Sequence, residues 1–306
     1  MTTLFPLFSL PYVPFKQVLD NIGPQGIMIL SLCSQRSKNV AITYSGASKD
    51  VKLQLMYCDN IGSLAYNSTD ILEVIDIKEL EDFIFPTLSN GHFRDVPYTM
   101  HEGCLVIFWE DTLTGLIEIG NYAREIFNRD INEINIGDFH FESESTSDED
   151  LDYVLENVKC TGLLSLSAKP SENYRPAKPL VFNLDELKIN FSFWIRLSDL
   201  LAMNSKTVRM RGSKLTSHDL NVFLKHWMAG GCSQLKDFFV DVEEAIDYEI
   251  VLDGVEFTER GDGVERVYVD KNRNPHTIRG GFDVKQSNVT ATIVGQYRYT
   301  FWFIVW

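Results

Sequence analysis

The sequence predicts an α/β chain, α+β overall, in which a small N-terminal helical unit precedes a larger mixed region. Three observations predict it. Between residues 4 and 42, apolar residues recur at helical spacing, and prolines sit where first helical turns accept them. Residues 43–112 are short alternating apolar runs separated by Gly, Asn and Asp, the period-two signature of strands. From residue 115 to 245 a short strand, a polar start signal and an amphipathic helix recur, and residues 246–306 return to strands.

The helical unit reads as three short helices. The first runs through Pro14 to Asn21 and presents Phe15, Val18, Leu19 and Ile22. The second starts near Pro24 and presents Ile27, Leu30 and Cys33, and Ser34 to Val40 forms the third. Gly26 interrupts the second helix, where glycine costs up to about 1 kcal/mol relative to alanine. In the strand-rich region Val51–Leu55 and Leu105–Trp109 are the clearest runs, and Pro86, Asn90-Gly91 and Pro97 mark a loop between them.

The recurring unit places strands at Ile134 and Ile136, Leu164 and Leu166, Leu187 and Ile189, Val208 and Met210, and Phe238 and Val240, recurring every 21 to 30 residues. Arg196 to Met203 and Ser217 to Met228 are the clear helices, the second with Leu220, Phe223, Leu224 and Trp227 on one face. This spacing brackets that of leucine-rich repeats, whose units must stack to bury their apolar faces. An irregular LRR-like layer is therefore expected, with a plain α/β sheet as the simpler alternative. Further on, Gly261-Asp262-Gly263 reads as a hairpin turn between Val255–Phe257 and Val267–Val269, and Gly280-Gly281 as a second turn. The chain ends in an aromatic strand, Tyr297 to Trp306.

Composition narrows the function. A formal net charge of −15 over 306 residues opposes the basic footprint that phosphate binding needs, so no nucleic-acid partner is expected. No apolar run approaches the roughly 20 residues of a membrane span, and the start lacks a basic signal-peptide region. Five cysteines, an odd number without a C-x-x-C pair, fit a reducing compartment, cytoplasmic and/or nuclear. The six histidines are scattered, so no metal site is expected. No phosphate loop, nucleophile elbow or dinucleotide fingerprint occurs, and no catalytic residue or cofactor is expected. The acidic runs Glu142–Asp152 and Asp241–Glu265 read as solvated faces, with Ser147 before Asp148-Glu149-Asp150 as a helix cap.

The string FPLFSLPYVPFKQVL, followed by LSLCSQRSKNV, resembles the F-box of nematode F-box B proteins. The later strings LLAMNSKTVRMRGSKLTSHDLNVFLKHWMAGGCSQLKDFFV and IDYEIVLDGVEFTERGDGVERVYVDK resemble their F-box-associated domain. The resemblance implies that residues 4–42 are an F-box docking onto a Skp-type adaptor, and through it a cullin, in an SCF-type ubiquitin ligase. Residues 43–306 would then bind a target protein. The docking candidates are Leu10, Pro11, Val13, Val18, Leu19, Ile22, Ile27, Leu30, Leu32 and Cys33, some of which must be internal. For the target, side-chain alternation along the repeated strands turns Lys188, Arg209 and Phe239 outward, flanked by Asn190, Arg211, Asp237 and Asp241. That basic centre suits an acidic or phosphorylated segment, or else it neutralises Asp237 and Asp241 across the strands. The alternatives are a stand-alone LRR-like scaffold, or an enzyme with an unrecognised site in residues 43–306.

Overall fold

The computed structural model describes residues 7–67, 74–79, 91–93, 95–101, 104–137, 147–157, 159–295 and 297–306. The chain is α/β and divides into two compact units, residues 1–138 with 157–161, and residues 139–156 with 162–306.

Three helices open the first unit: α1 Tyr12–Asn21, α2 Gly23–Cys33 and α3 Gln35–Thr43. They form where the local signals place them. Pro14 and Pro24 occupy first turns, and the Ser34 hydroxyl caps α3 by accepting the Ser37 N–H at 3.1 Å. Strands β1 Leu53–Cys58, β2 Ile61–Tyr66, β3 Val74–Glu79, β4 Gly91–Phe93, β5 Val96–His101 and β6 Cys104–Trp109 follow, then helix α4 Thr112–Phe127 and strand β7 Ile131–Ile136. The strand order is β7-β1-β2-β3-β6-β5-β4, with β1/β7 and β3/β6 parallel and the other pairs antiparallel. Of the loop expected between the clear runs, Pro86 and Asn90 lie outside the described residues. Gly91 and Pro97 do not: Gly91 starts β4, and Pro97 sits in β5 opposite His92, so that part is a hairpin.

The N-terminal helices pack on the rest of this unit. The Tyr122 hydroxyl of α4 donates to the Ser31 carbonyl of α2 at 3.2 Å and lies 3.0 Å from the Ser31 hydroxyl, while Lys38 of α3 pairs with Glu125 at 2.8 Å.

The second unit starts with α5 Asp148–Asn157, whose Asp150 N–H bonds the Ser147 hydroxyl at 3.0 Å, as the capping pattern predicts. Residues 142–146 of the acidic run lie outside the described residues. Strands β8 Cys160–Leu166, β9 Glu186–Ile189, β10 Thr207–Ser213 and β11 Asp237–Val242 are parallel and neighbour one another in chain order. Helix α6 Leu197–Ala202 connects β9 to β10, and α7 Ser217–Met228 connects β10 to β11. The first member of the expected series, Ile134 and Ile136, falls in β7 of the first unit. After α8 Tyr248–Val251 come the antiparallel strands β12 Phe257–Val269, β13 Pro275–Gln286, β14 Val289–Val294 and β15 Thr300–Val305. The order is β8-β9-β10-β11-β15-β14-β13-β12, so the C-terminal strand lies between β11 and β14.

One face of this sheet is covered by α7. Phe223 packs 4.8 Å from Phe238 and 5.6 Å from Phe303 between ring centres, and Trp227 lies 5.0 Å from Phe303.

The expected hairpin turn at Gly261–Gly263 is not there. Strand β12 continues through those residues, with a register shift between Arg260 and Glu265, and the chain turns at residues 270–274, where Asp270 accepts the Asn274 N–H at 2.8 Å. Gly280-Gly281, likewise expected as a turn, lies inside β13 opposite the shift. Both have positive φ, +60° and +101°, and a Cβ on Gly281 would stand 2.5 Å from the Ile293 carbonyl oxygen. The glycines make a bulge that bends a long hairpin rather than closing a short one.

Candidate functional site

Two surfaces contain the residues singled out in the sequence. On the first unit, α1 projects its N-terminal end into solvent: Tyr12 is 75% and Val13 64% exposed, and Pro11 is exposed beside half-buried Leu10. Val18, Ile22, Leu30 and Leu32 are half-buried, and Cys33 is exposed. Leu19 and Ile27 are interior and hold the helices together. The α1 turn is fixed by Asp20, which accepts the Tyr44 hydroxyl at 2.5 Å and pairs with Lys16 at 2.7 Å. These bonds hold the Asp20 carboxyl below its ordinary pKa.

The second surface is the sheet face of β9, β10 and β11 opposite α7. The register sets Glu186, Thr207, Asp237, Ile304, Thr292 and Asp283 side by side in one row from β9 to β13, and all six are buried. Three are carboxylates, and a buried carboxylate requires a partner. Each has one. Glu186 pairs with Lys188 at 3.4 Å and with Lys271 from the β12–β13 turn. Arg209 reaches Asp237 at 2.9 Å, and the Trp302 indole donates to the same carboxylate at 2.8 Å. Asp283 holds Arg260, Arg266 at 3.0 Å, and the Thr292 hydroxyl at 2.6 Å.

The bent β12–β13 hairpin covers this face. Tyr268 and His276 lie 6.2 Å and 5.7 Å from the Trp302 ring centre, and Ile278, Val294, Trp302 and Ile304 form a buried cluster with Phe239 and Tyr268 against it. Burial pushes the Asp237 carboxyl above its ordinary pKa, against the opposing pull of Arg209, Trp302 and Tyr268. Burial, then the negative charge of Asp237, pushes the Tyr268 hydroxyl up. Burial also pulls Asp283 upward, but hydrogen bonds from Thr292, Arg260 and Arg266 together outweigh it and hold that carboxyl below its ordinary value.

The structure therefore brings the expected target-binding residues onto one face, but much of that face is already occupied by the chain itself. Asp237, expected to point outward, is an internal counter-ion. Lys188, Asn190, Arg209, Phe239 and Asp241 are half-buried, with Asp241 accepting the Thr300 hydroxyl at 2.6 Å, and Arg211 alone of the set is exposed. Sequence reasoning missed Glu186, Tyr268, Lys271 and Asp283. Glu186 was recoverable, since it shares the strand parity of Lys188; the other three depend on long-range pairing.

A cleft of about 490 Å³ in the first unit is lined by Tyr44, Lys49, Asp50, Phe127 and Arg129 among others, with no histidine or cysteine. Among the described residues no group of three or more His, Cys, Asp or Glu converges as metal ligands, and no described helix is long and apolar enough to cross a membrane.

The part of the second unit that carries β9, α6, β10 and α7 also carries the likeness to known proteins. Residues 175–240 match the F-box associated family. Over 255 residues the chain is 24% identical to the Skn-1 dependent zygotic transcript 15 protein of Caenorhabditis elegans, the alignment covering 80% of this chain and 67% of that protein. No solved structure matches. The likeness is thus to an F-box associated segment and to a nematode protein, and the matched segment contains Glu186 and Asp237 of the buried row with their partners Lys188 and Arg209.

Proposed function

We propose that the chain is a non-catalytic substrate-recognition adaptor of an SCF-type cullin-RING ubiquitin ligase, acting in the cytoplasm and/or nucleus. Residues 4–42 serve as an F-box that docks a Skp-type adaptor and through it a cullin, and residues 43–306 hold a target protein. The observation that carries this reading is the match of residues 175–240 to the F-box associated family. The exposure of Tyr12 and Val13 supports it, because large apolar groups at the end of a helical unit are the kind of surface a partner covers.

In this reading Leu10, Pro11 and Val13 make direct contact. Val18, Ile22, Leu30, Leu32 and Cys33 border them, and Leu19 and Ile27 shape the helices. Target contact falls to the reachable residues of the strand face, Arg211 first, then Lys188, Asn190, Arg209, Phe239 and Asp241, with Asp237 acting from beneath. The chain contributes proximity, raising the effective concentration of the target beside a recruited conjugating enzyme.

The test is co-purification of the full chain with a Skp-type adaptor. Leu10→Ala with Pro11→Ala, and separately Val13→Asp, should sharply reduce capture while the melting temperature holds. Unchanged capture by both variants, with folding intact, would overturn the docking assignment.

A further inference from the structure

Among the described residues, strand β12 ends the sheet of the second unit and pairs with β13 only. Ten of its thirteen residues are exposed, and beyond Gly261 and Gly263 there is open space. Edge strands are usually guarded by lysine, by proline or by strong bending, because their free N–H and C=O groups recruit other strands. β12 contains neither lysine nor proline; its guards are the bulge between Arg260 and Glu265 and the inward turn of Arg260 and Arg266 onto buried Asp283, and Val267–Val269 lie beyond both.

What β12 turns outward is apolar and acidic. Val267 is 61% and Val269 55% exposed, and Val264 is exposed with them. Glu265 is paired with Arg279 at 2.9 Å, whereas Glu259 and Asp262 are exposed and make no ion pair among the described residues. The bulge leaves Glu265–Val269 as an uninterrupted edge about the length of an ordinary strand.

We propose that this edge docks an extended segment of a partner protein, which adds to the sheet as a further strand. Main-chain hydrogen bonds supply the affinity, and alternate side chains supply the selection. Apolar residues of the segment lie against Val267 and Val269, and lysines or arginines face Glu259 and Asp262. Self-association of the chain through β12 is the competing outcome that the experiment separates. The edge belongs to the second unit, and the proposal does not depend on ligase docking.

The experiment uses the full chain and two labelled peptides of equal length and charge. One alternates Lys and Val and can add to a sheet; the other alternates Lys and Pro and cannot. The Lys–Val peptide should bind at least roughly tenfold tighter than the Lys–Pro peptide and should protect the amides of residues 265–269 from exchange. Glu259→Lys with Asp262→Lys should weaken binding roughly tenfold, while the charge-matched Glu243→Lys with Glu244→Lys should not. Equal binding of both peptides, equal loss in both variants, no added protection at 265–269, or self-association through β12 would each overturn the proposal. Adaptor capture measured on the same variants keeps this outcome distinct from that of the docking assay.

Discussion

The Arg209 guanidinium on β10 stands 2.9 Å from the carboxylate of Asp237 on β11, and Asp237 is 1% exposed. The arginine is about a third exposed, so one partner of the pair is in the protein and the other reaches its edge. That asymmetry matters. Removing the arginine strands a buried charge, whereas removing a wholly surface cation strands nothing.

Arg209→Ala should therefore destabilise the second unit by about 2 kcal/mol, a figure kept below that of a fully buried pair because solvent screens the arginine. Arg211→Ala, at an exposed position, should stay within about 0.5 kcal/mol. Denaturant midpoints of the two variants check this. Equal midpoints would show that Asp237 does not rely on Arg209.

Asp237 and Asp283 should impose opposite pH dependences. Both have an ordinary value of 3.8; folding raises the first and lowers the second. A raised carboxyl binds its proton more tightly when folded, so its contribution to stability falls as pH rises from 3.8 through the folded value. A lowered one contributes stability above 3.8 that is lost as pH falls through its folded value. Relative to the natural chain, Asp237→Asn should gain as pH rises above 3.8, whereas Asp283→Asn should lose as pH rises towards 3.8 from below, so the two effects fall on either side of that value in one interval. Urea melts across that interval read both slopes, and slopes of the same sign would refute the assignment.

Much of this was legible in local sequence. Pro14, Pro24 and Ser34 marked the first three helices because caps and first turns act within a few residues. Leu187, Ile189, Val208 and Met210 marked their strands because the period of two needs no distant partner. Helix α4 was less visible, since Gly115 and Gly120 depress its propensity. The bulge was misread because Gly261-Asp262-Gly263 has the composition of a turn, and only Gly280-Gly281 across the hairpin makes it a bend. The parity that put Lys188, Arg209 and Phe239 on one face was readable; that the β12–β13 hairpin covers that face was not, because Tyr268 and Lys271 meet Asp237 and Glu186 only through long-range pairing.

Gly26 is a second place where local propensity misleads. Alanine there should gain up to about 1 kcal/mol of helix propensity. In the structure its Cβ would stand 2.7 Å from the Ile22 Cβ and 2.9 Å from Cγ1, where α1 turns into α2. Overpacking of that kind costs about 1–3 kcal/mol. Gly26→Ala should lower the melting temperature despite the better helix former, as thermal melts followed by circular dichroism would show. A higher melting temperature would mean that Ile22 moves aside.

The C-terminal strand should be indispensable. Deleting Tyr297–Trp306 removes β15 from between β11 and β14 and leaves two open edges in the middle of a sheet. It also takes Phe301 and Phe303 from the cluster under α7 and the Trp302 indole from Asp237. Losing a single buried phenylalanine side chain costs about 3–5 kcal/mol, and a whole domain has only about 5–15 kcal/mol in reserve. The strand carries Phe301, Phe303 and Ile304 fully buried, so its removal exceeds that reserve. The truncated chain should be insoluble on expression, or should melt without the cooperative transition of the full chain. A soluble truncation with a cooperative melt would show that β11 and β14 can close on each other, and that the sheet does not depend on its last strand.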